Sequence, residues 1–395
     1  TMLFQTLDSK GQCIGIFQDG KLLFESVPDN LSATWEYSQF LKNRNVEYAK
    51  LYCGGKDLKQ VCPEKYSDQL HVSIKKLKAY LRSFQLGKIS LNDHCFYDLV
   101  PSEFLLEYCD VKNQITKHVL ENYEKPKNYD FLVDLTKLIT DMNYQKLKID
   151  STKLRKKYHS TKCRKFIKQI NSLEPYCKYN IFGTKTGRLT NAPGSVPILT
   201  MPKEFRVVVE PTNDWFVEMD YNGAELRTVL SLSDQDQPQD DIHQWNAKNL
   251  YNHCSRDEAK SRIFAWLYNS KSASKEAERV YKRSEIRNKY WDGEYVTTPY
   301  NRKIKADKHH SMSYIIQSTF SDMLLRQMIK VNDFLKNYKS HIAFCVHDSI
   351  VLDMTEDEKY LIPQIKRLFS NTDLGDFKTN VSAGRNFGKL YNLKL

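Results

Sequence analysis

The sequence has no apolar run approaching the roughly 18 residues that a membrane span requires, which argues against a transmembrane protein. No CxxC pair occurs among its nine cysteines, and their number is odd. Both facts argue against a disulfide scaffold or a zinc module, and reduced thiols fit a reducing cytosol. A signal peptide's unbroken apolar core is also missing, because Asp8, Lys10 and Asp19 interrupt the amino-terminal stretch. Thr1 ahead of Met2 reads as a remnant of cloning.

What is present suits a globular chain. At 395 residues with 41% hydrophobic side chains, two or three packed units are expected. The formal charge of +12 is unevenly spread: between Lys146 and Arg188 thirteen Lys or Arg face only Asp150 and Glu174, a local excess of +11. A solvated helical face would account for this. So would a surface that tracks nucleic-acid phosphates, where clustered cations release counterions and steer the polyanion.

Residues 1–55 read as hairpin strands and a helix, with Leu3–Leu7, Gln12–Phe17 and Leu22–Glu25 separated by Asp-Ser-Lys-Gly and Asp-Gly turns. Tyr48–Cys53 reads as a further strand before Gly54-Gly55. From Ser73 to Lys168 apolar residues recur at three- and four-residue steps, which predicts helices with a break near Pro126. Residues 179–202 carry Gly, Pro and Thr and predict an irregular stretch, followed by strands at Phe205–Val209 and Trp215–Met219. Helices are expected over 242–291, from about His309 to Lys336 and over 357–369, with a hairpin around Asp348.

Two aspartates end apolar strand-like runs 128 positions apart: Asp220 after Phe216-Val217-Glu218-Met219, and Asp348 after Ile342-Ala343-Phe344-Cys345-Val346-His347. Brought together, two such carboxylates suit hard divalent cations such as Mg²⁺. Between them, Ser255 and Glu258 form a capping-box pattern that predicts a helix start. Arg256, Lys260, Phe264 and Tyr268 then recur every four residues, charged at the start and aromatic at the end. That face could hold a triphosphate near the positive helix end. A cationic surface turn followed by core aromatics fits the same residues.

Position for position this helix resembles the nucleotide-binding helix of family A DNA polymerases, the group of bacterial DNA polymerase I and its phage relatives. That family carries Arg-x3-Lys-x3-Phe-x3-Tyr-Gly, and Asn269 stands here in the glycine position. Further stretches resemble the family's motifs in the same order: Thr186-Gly187-Arg188-Leu189-Thr190, Asp220-Tyr221-Asn222-Gly223-Ala224-Glu225-Leu226-Arg227, Asp241-Ile242-His243, Ile316–Asp322, Val346-His347-Asp348 and Ser382–Phe387. The resemblance covers about residues 130–395.

It implies an α+β right-hand polymerase: an antiparallel palm at 181–241 and 322–395, helical fingers at 242–321, a helical thumb at 116–180, and a small α+β amino-terminal domain at 1–115. Asp220, Asp348 and the Tyr221 carbonyl would hold two Mg²⁺ ions, for which Mn²⁺ can substitute. Arg256, Lys260 and His243 would contact the dNTP triphosphate, with Lys260 protonating the leaving pyrophosphate. Phe264 would pack on the sugar, Tyr268 would close the pocket, and Glu225 would occupy the space of a ribose 2′-hydroxyl. Arg188, Gln317 and His347 would read minor-groove acceptors of primer-template DNA. A salt bridge from Glu225 to Arg227 or a neighbour, an N-terminal ion pair for Arg256 and a helix-start role for His243 are competing readings.

The departures are specific. Ser349 replaces a family glutamate, so a third carboxylate is absent or supplied elsewhere, and Ser313 and His309 replace an Asn and an Arg. A family 3′–5′ exonuclease begins with Asp-x-Glu, which residues 1–120 lack, so no proofreading is expected and this region reads as a nuclease remnant or a separate small unit. The resemblance thus implies a compact replicase of phage type, monomeric in a bacterial host cytoplasm, for which a helicase, clamp or separate exonuclease would be candidate partners. A single-subunit RNA polymerase and a non-catalytic DNA-binding factor derived from a polymerase are the alternatives.

Overall fold

The computed structural model of the protein describes residues 2–269 and 271–394, so Thr1, read as a cloning remnant, lies outside the described residues. The chain divides into two compact units, Thr1–Tyr144 and Gln145–Leu395. Helices and strands are mixed in both. None of the described helices is long and apolar enough to cross a membrane.

In the first unit β1 (Gln5–Thr6), β2 (Gly15–Gln18) and β3 (Lys21–Phe24) form an antiparallel sheet in that order. Gln18 pairs with Lys21, so Asp19-Gly20 is a two-residue hairpin loop, and both residues have positive φ, 48° and 75°. That is the turn chemistry an Asp-Gly pair favours. Three long helices follow: α1 (Ser67–Leu86), α2 (Ser102–Asn122) and α3 (Tyr129–Asn143), with Pro126 in the gap before the last. Phe17 from the sheet, Phe84 from α1 and Phe104, Leu105 and Cys109 from α2 share one apolar core.

Two expectations for this unit are corrected. Tyr48–Cys53 is not a strand: only Glu47–Tyr48 pairs, and Ala49–Tyr52 is one helical turn. The Cys53 amide closes the turn by donating to the Ala49 carbonyl at 3.4 Å, and both residues pack there with Trp35, Leu70 and Val111. The cysteines are not all reduced either, because Cys13 and Cys95 form a disulfide, while the other seven are free. The partners are 82 residues apart, so no local spacing signals the pair.

The second unit is built around β4 (Trp215–Tyr221). Its partners come from the far end of the chain: β7 (His341–Val346), β8 (Ser349–Met354), β9 (Thr379–Asn386) and β10 (Lys389–Asn392). The antiparallel order is β7-β8-β4-β9-β10, which puts β4 in the centre. Among the separate two-stranded pairs, a short hairpin joins β5 (Tyr295–Thr297) to β6 (Lys303–Lys305). Along β4, Val217, Met219 and Tyr221 are buried on one face, while Glu218 and Asp220 on the other are only half-buried. Tyr221 stacks on Phe369 with centroids 4.3 Å apart, and its hydroxyl donates to the Phe369 carbonyl at 2.6 Å.

The helices of this unit include α4 (Thr161–Asn171), α5 (Ala224–Leu232), α6 (Ile242–Asn249), α7 (Arg256–Tyr268) and the long α8 (Lys308–Leu335). A further helix, α9 (Ile362–Ser370), follows a 3-10 turn at Glu356–Leu361. Leu226, Val229, Ile242, Ile263, Trp266, Ile315 and Ile316 share one core and tie α5, α6, α7 and α8 together. The expected strand at Phe205–Val209 is instead a 3-10 turn, Lys203–Val208, with only Val209–Glu210 extended. Phe205 and Val208, three residues apart, are both buried, and that spacing matches a 3-10 period.

Candidate active site

Strand pairing brings the two aspartates together. Asp220 lies near the end of β4, opposite Ser349 of β8 and Asn380 of β9. His347-Asp348 is the two-residue loop between β7 and β8, since Val346 pairs with Ser349. His347 takes a φ of 55°, an uncommon conformation for a residue with a Cβ that hairpin loops exploit. Burial pushes the Asp220 carboxyl up to about 7, and the negative charges of Asp348 and Glu218 add to the rise. The pair is therefore electrostatically unsatisfied by itself.

An open cleft of about 260 Å³ is lined by Asp220, Tyr221, Asn222, Gly223, Glu225, His243, Arg256, Lys260, Phe264, Asp348 and Asn380, among others. Gly223 caps α5 with a φ of 63°, and a Cβ there would collide with the Ile242 side chain. This close approach of α5 to α6 sets His243 beside the carboxylates' strand.

Three helix starts converge on the cleft, with Asp241 as their hub. Its carboxylate accepts from the backbone of His243 and Gln244 at 3.0 Å, capping α6. It also accepts from Asn222 Nδ2 at 2.7 Å and from Arg256 Nη2 at 2.9 Å and Nε at 3.2 Å. Burial pushes this carboxyl up, but Arg256 and the amide donors more than reverse it and hold it well below the carboxylate range. Arg256 thus makes the ion pair weighed for it and lines the cleft as well.

His243 is 3% exposed, its Nδ1 is buried without a partner, and burial pushes its pKa down to about 4. At neutral pH it offers an uncharged ring. Its centroid is 5.9 Å from that of Phe264, which in turn stacks on Tyr268 at 6.1 Å.

Glu225 does not pair with Arg227. Its carboxylate accepts from Arg188 Nη2 at 2.9 Å and from the Tyr268 hydroxyl at 2.5 Å. Arg227 is fully buried and donates to the carbonyls of Asn222, Pro238 and Asp240. Arg188 and His347 line a second, smaller cavity of about 50 Å³ with Leu189, Phe320, Leu324 and Cys345. Gln317, half-buried on α8, is not among the residues lining either cavity.

Two arginines that sequence reasoning passed over hold the site's walls. Arg302, beside β6, makes a two-pronged bond to the fully buried Asp322 of α8, with Nε at 2.9 Å and Nη2 at 2.6 Å. Its guanidinium packs under Gly187, where a Cβ would meet it, so it supports the loop that carries Arg188. Arg283 closes the end of α7 by donating to the carbonyls of Trp266, Asn269 and Ser272. A lone Arg has no spacing signature, although the Asp322 position is visible in the sequence. Arg302→Ala leaves the buried Asp322 without its two-pronged partner, with only the more distant charge of Arg326, and urea denaturation is expected to show a loss of about 3 kcal/mol.

The donor set fits Mg²⁺ in part. Among the described residues no group of three or more His, Cys, Asp or Glu is placed to hold a metal ion. Mg²⁺ usually takes only one or two carboxylates and completes its shell with water and substrate phosphates, which two aspartates at an open cleft allow.

No family model matches the sequence, and no curated protein matches it. Among solved structures the chain shares the fold of the POL domain of Pol1 from M. smegmatis, determined in complex with DNA primer-template and dNTP. The TM-score is 0.59 at 12% identity, over 87% of this chain and 82% of that one. The mixed helix-and-sheet architecture is therefore that of a DNA polymerase domain.

Proposed function

We propose that the protein is a DNA-templated DNA polymerase of the family A kind, extending a primer 3′ end with dNTPs and lacking its own 3′–5′ proofreading. The observation that carries this reading is one cleft lined by two strand-end aspartates, a helix-borne Arg and Lys, and the Phe of the same helix. In this reading the sheet of β4 and its partners is the palm, 242–321 the fingers and 116–180 the thumb. The amino-terminal domain at 1–115 has no nuclease role. The chain would be a compact phage-type enzyme acting in a host cytoplasm, as a monomer, with a helicase, clamp or separate exonuclease as partners.

Asp220, Asp348 and the Tyr221 carbonyl would hold two Mg²⁺ ions, which when bound lower the pKa of the primer hydroxyl and stabilise charge on pyrophosphate. Arg256 and Lys260 bind the triphosphate, and the neutral His243 adds a hydrogen bond rather than a charge. The primer O3′ attacks the α-phosphorus as the bond to the β-phosphate oxygen breaks. Lys260 Nζ gives its proton to the departing pyrophosphate. Phe264 carries the sugar, Tyr268 closes the pocket beside the templating base, and Arg188, Gln317 and His347 grip the minor groove of the primer-template.

The test is extension of a primed DNA template with Mg²⁺, using all four dNTPs or all four rNTPs, with mononucleotide release followed in parallel. Extension with dNTPs only and no mononucleotide release is expected. Preference for rNTPs would point to the single-subunit RNA polymerase, and DNA binding without extension to the non-catalytic factor. Release of mononucleotides from a mismatched primer, lost on mutation within 1–120, would overturn the absence of proofreading.

A further inference from the structure

The acid missing beside Asp348 has a counterpart on the neighbouring strand. Ser349 is 3% exposed and sits directly across from Asp220, and its Oγ hydrogen is shared between Glu218 Oε1 at 3.0 Å and the Val346 carbonyl at 3.1 Å. Glu218 lies two residues before Asp220 on the same face of β4, diagonal to Ser349. Diagonal cross-strand neighbours are within reach of a long side chain. The charge of Glu218 also acts on Asp220. The same charge acts on Arg206, whose guanidinium lies 4.6 Å over the Phe387 ring.

We propose that Glu218, oriented by Ser349 Oγ, is the third carboxylate of the two-aspartate centre, transferred from the β7–β8 turn to the central strand. It acts as a positioning residue that adds negative charge behind Asp220, not as a direct ligand, since the described acids form no three-membered metal group. The inference rests on the polymerase reading. The competing role is a purely structural charge partnership with Arg206, on which the Glu218 charge acts.

Mn²⁺ binding to the purified chain, without DNA or nucleotide, separates these roles by calorimetry or by the spin-resonance signal of free Mn²⁺. Glu218→Gln is expected to weaken Mn²⁺ about fivefold, because charge count tunes cation affinity. Ser349→Ala should weaken it less. The exchange Glu218→Ser with Ser349→Glu should bind more tightly than Glu218→Ser alone, since the acid is returned to the turn. Arg206→Ala should tighten Mn²⁺, whereas a purely structural pair predicts that it behaves like Glu218→Gln.

Unchanged Mn²⁺ affinity in Glu218→Gln, no gain from the exchange, or no measurable binding by the unmodified chain would each overturn the proposal. Failure of the polymerase reading looks different: the unmodified chain would bind Mn²⁺ with the expected dependence on Glu218 yet extend no primer.

Discussion

Asp348→Ala is expected to lower primer extension by about 10³-fold in single-turnover assays while leaving primer-template affinity nearly unchanged. The carboxylate sits on a two-residue turn whose backbone is fixed by the β7–β8 pairing, so its removal changes charge without loosening the sheet. Unchanged activity would sink the assignment of this residue. The companion variant Asp220→Asn should also be inactive, but more stable than the parent at high pH. Asp220 is pushed up from 3.8 to about 7, so in that window the native chain keeps a proton that the unfolded chain releases. Stability contributed by this site is therefore full below the ordinary carboxylate range, falls as pH rises towards about 7, and then levels off. The asparagine removes that fall. Discounted for partial exposure, its advantage at pH 8 without divalent cations is about 2 kcal/mol, vanishing near pH 4 in thermal melts.

Glu225→Ala is expected to reduce discrimination against rNTPs by about 100-fold, read as the ratio of kcat/KM for dNTP and rNTP on one template. Glu225 lines the cleft near Phe264, and its carboxylate is held by Arg188 and Tyr268. Truncation opens the space a 2′-hydroxyl would take and releases both partners. Glu225→Gln separates the two effects, because it preserves volume but removes the ion pair to Arg188. If shape excludes ribose, the glutamine variant keeps most of the discrimination and loses dNTP affinity. If Gln and Ala relax selectivity equally, charge rather than volume sets it.

Much of the second unit is legible in the sequence because its signals are local. The apolar run before Asp220 alternates as a strand does, Ser255 caps the helix that begins at Arg256, and the long helix expected from His309 to Lys336 runs from Lys308 to Leu335. Ser255 Oγ accepts from the Glu258 backbone at 3.2 Å, as its position predicts. Long-range side-chain choices are not legible. Glu225 could have paired with Arg227, two residues away, but on a helix that spacing points to different sides, and Arg227 turned inward to the loop carbonyls. Glu218 reads as an ordinary outward strand residue until the β4–β8 register sets it diagonal to Ser349. Cys13 and Cys95 lack any spacing signature, and Tyr48–Cys53 looked extended because its Tyr and Cys side chains are apolar at either period.

The central position of β4 has a consequence in time. Both of its neighbours, β8 and β9, lie between residues 349 and 386, more than 120 positions downstream. Pairings of such high sequence separation form late, after the local helices. During synthesis, a chain that has emerged only through α8 carries Asp220 and the whole Arg256–Tyr268 helix, but neither Asp348 nor the strands flanking β4. Nascent chains that end before residue 341 therefore carry the basic segment 146–188 and the Arg256–Tyr268 helix without the second aspartate or the strands that complete the sheet around β4.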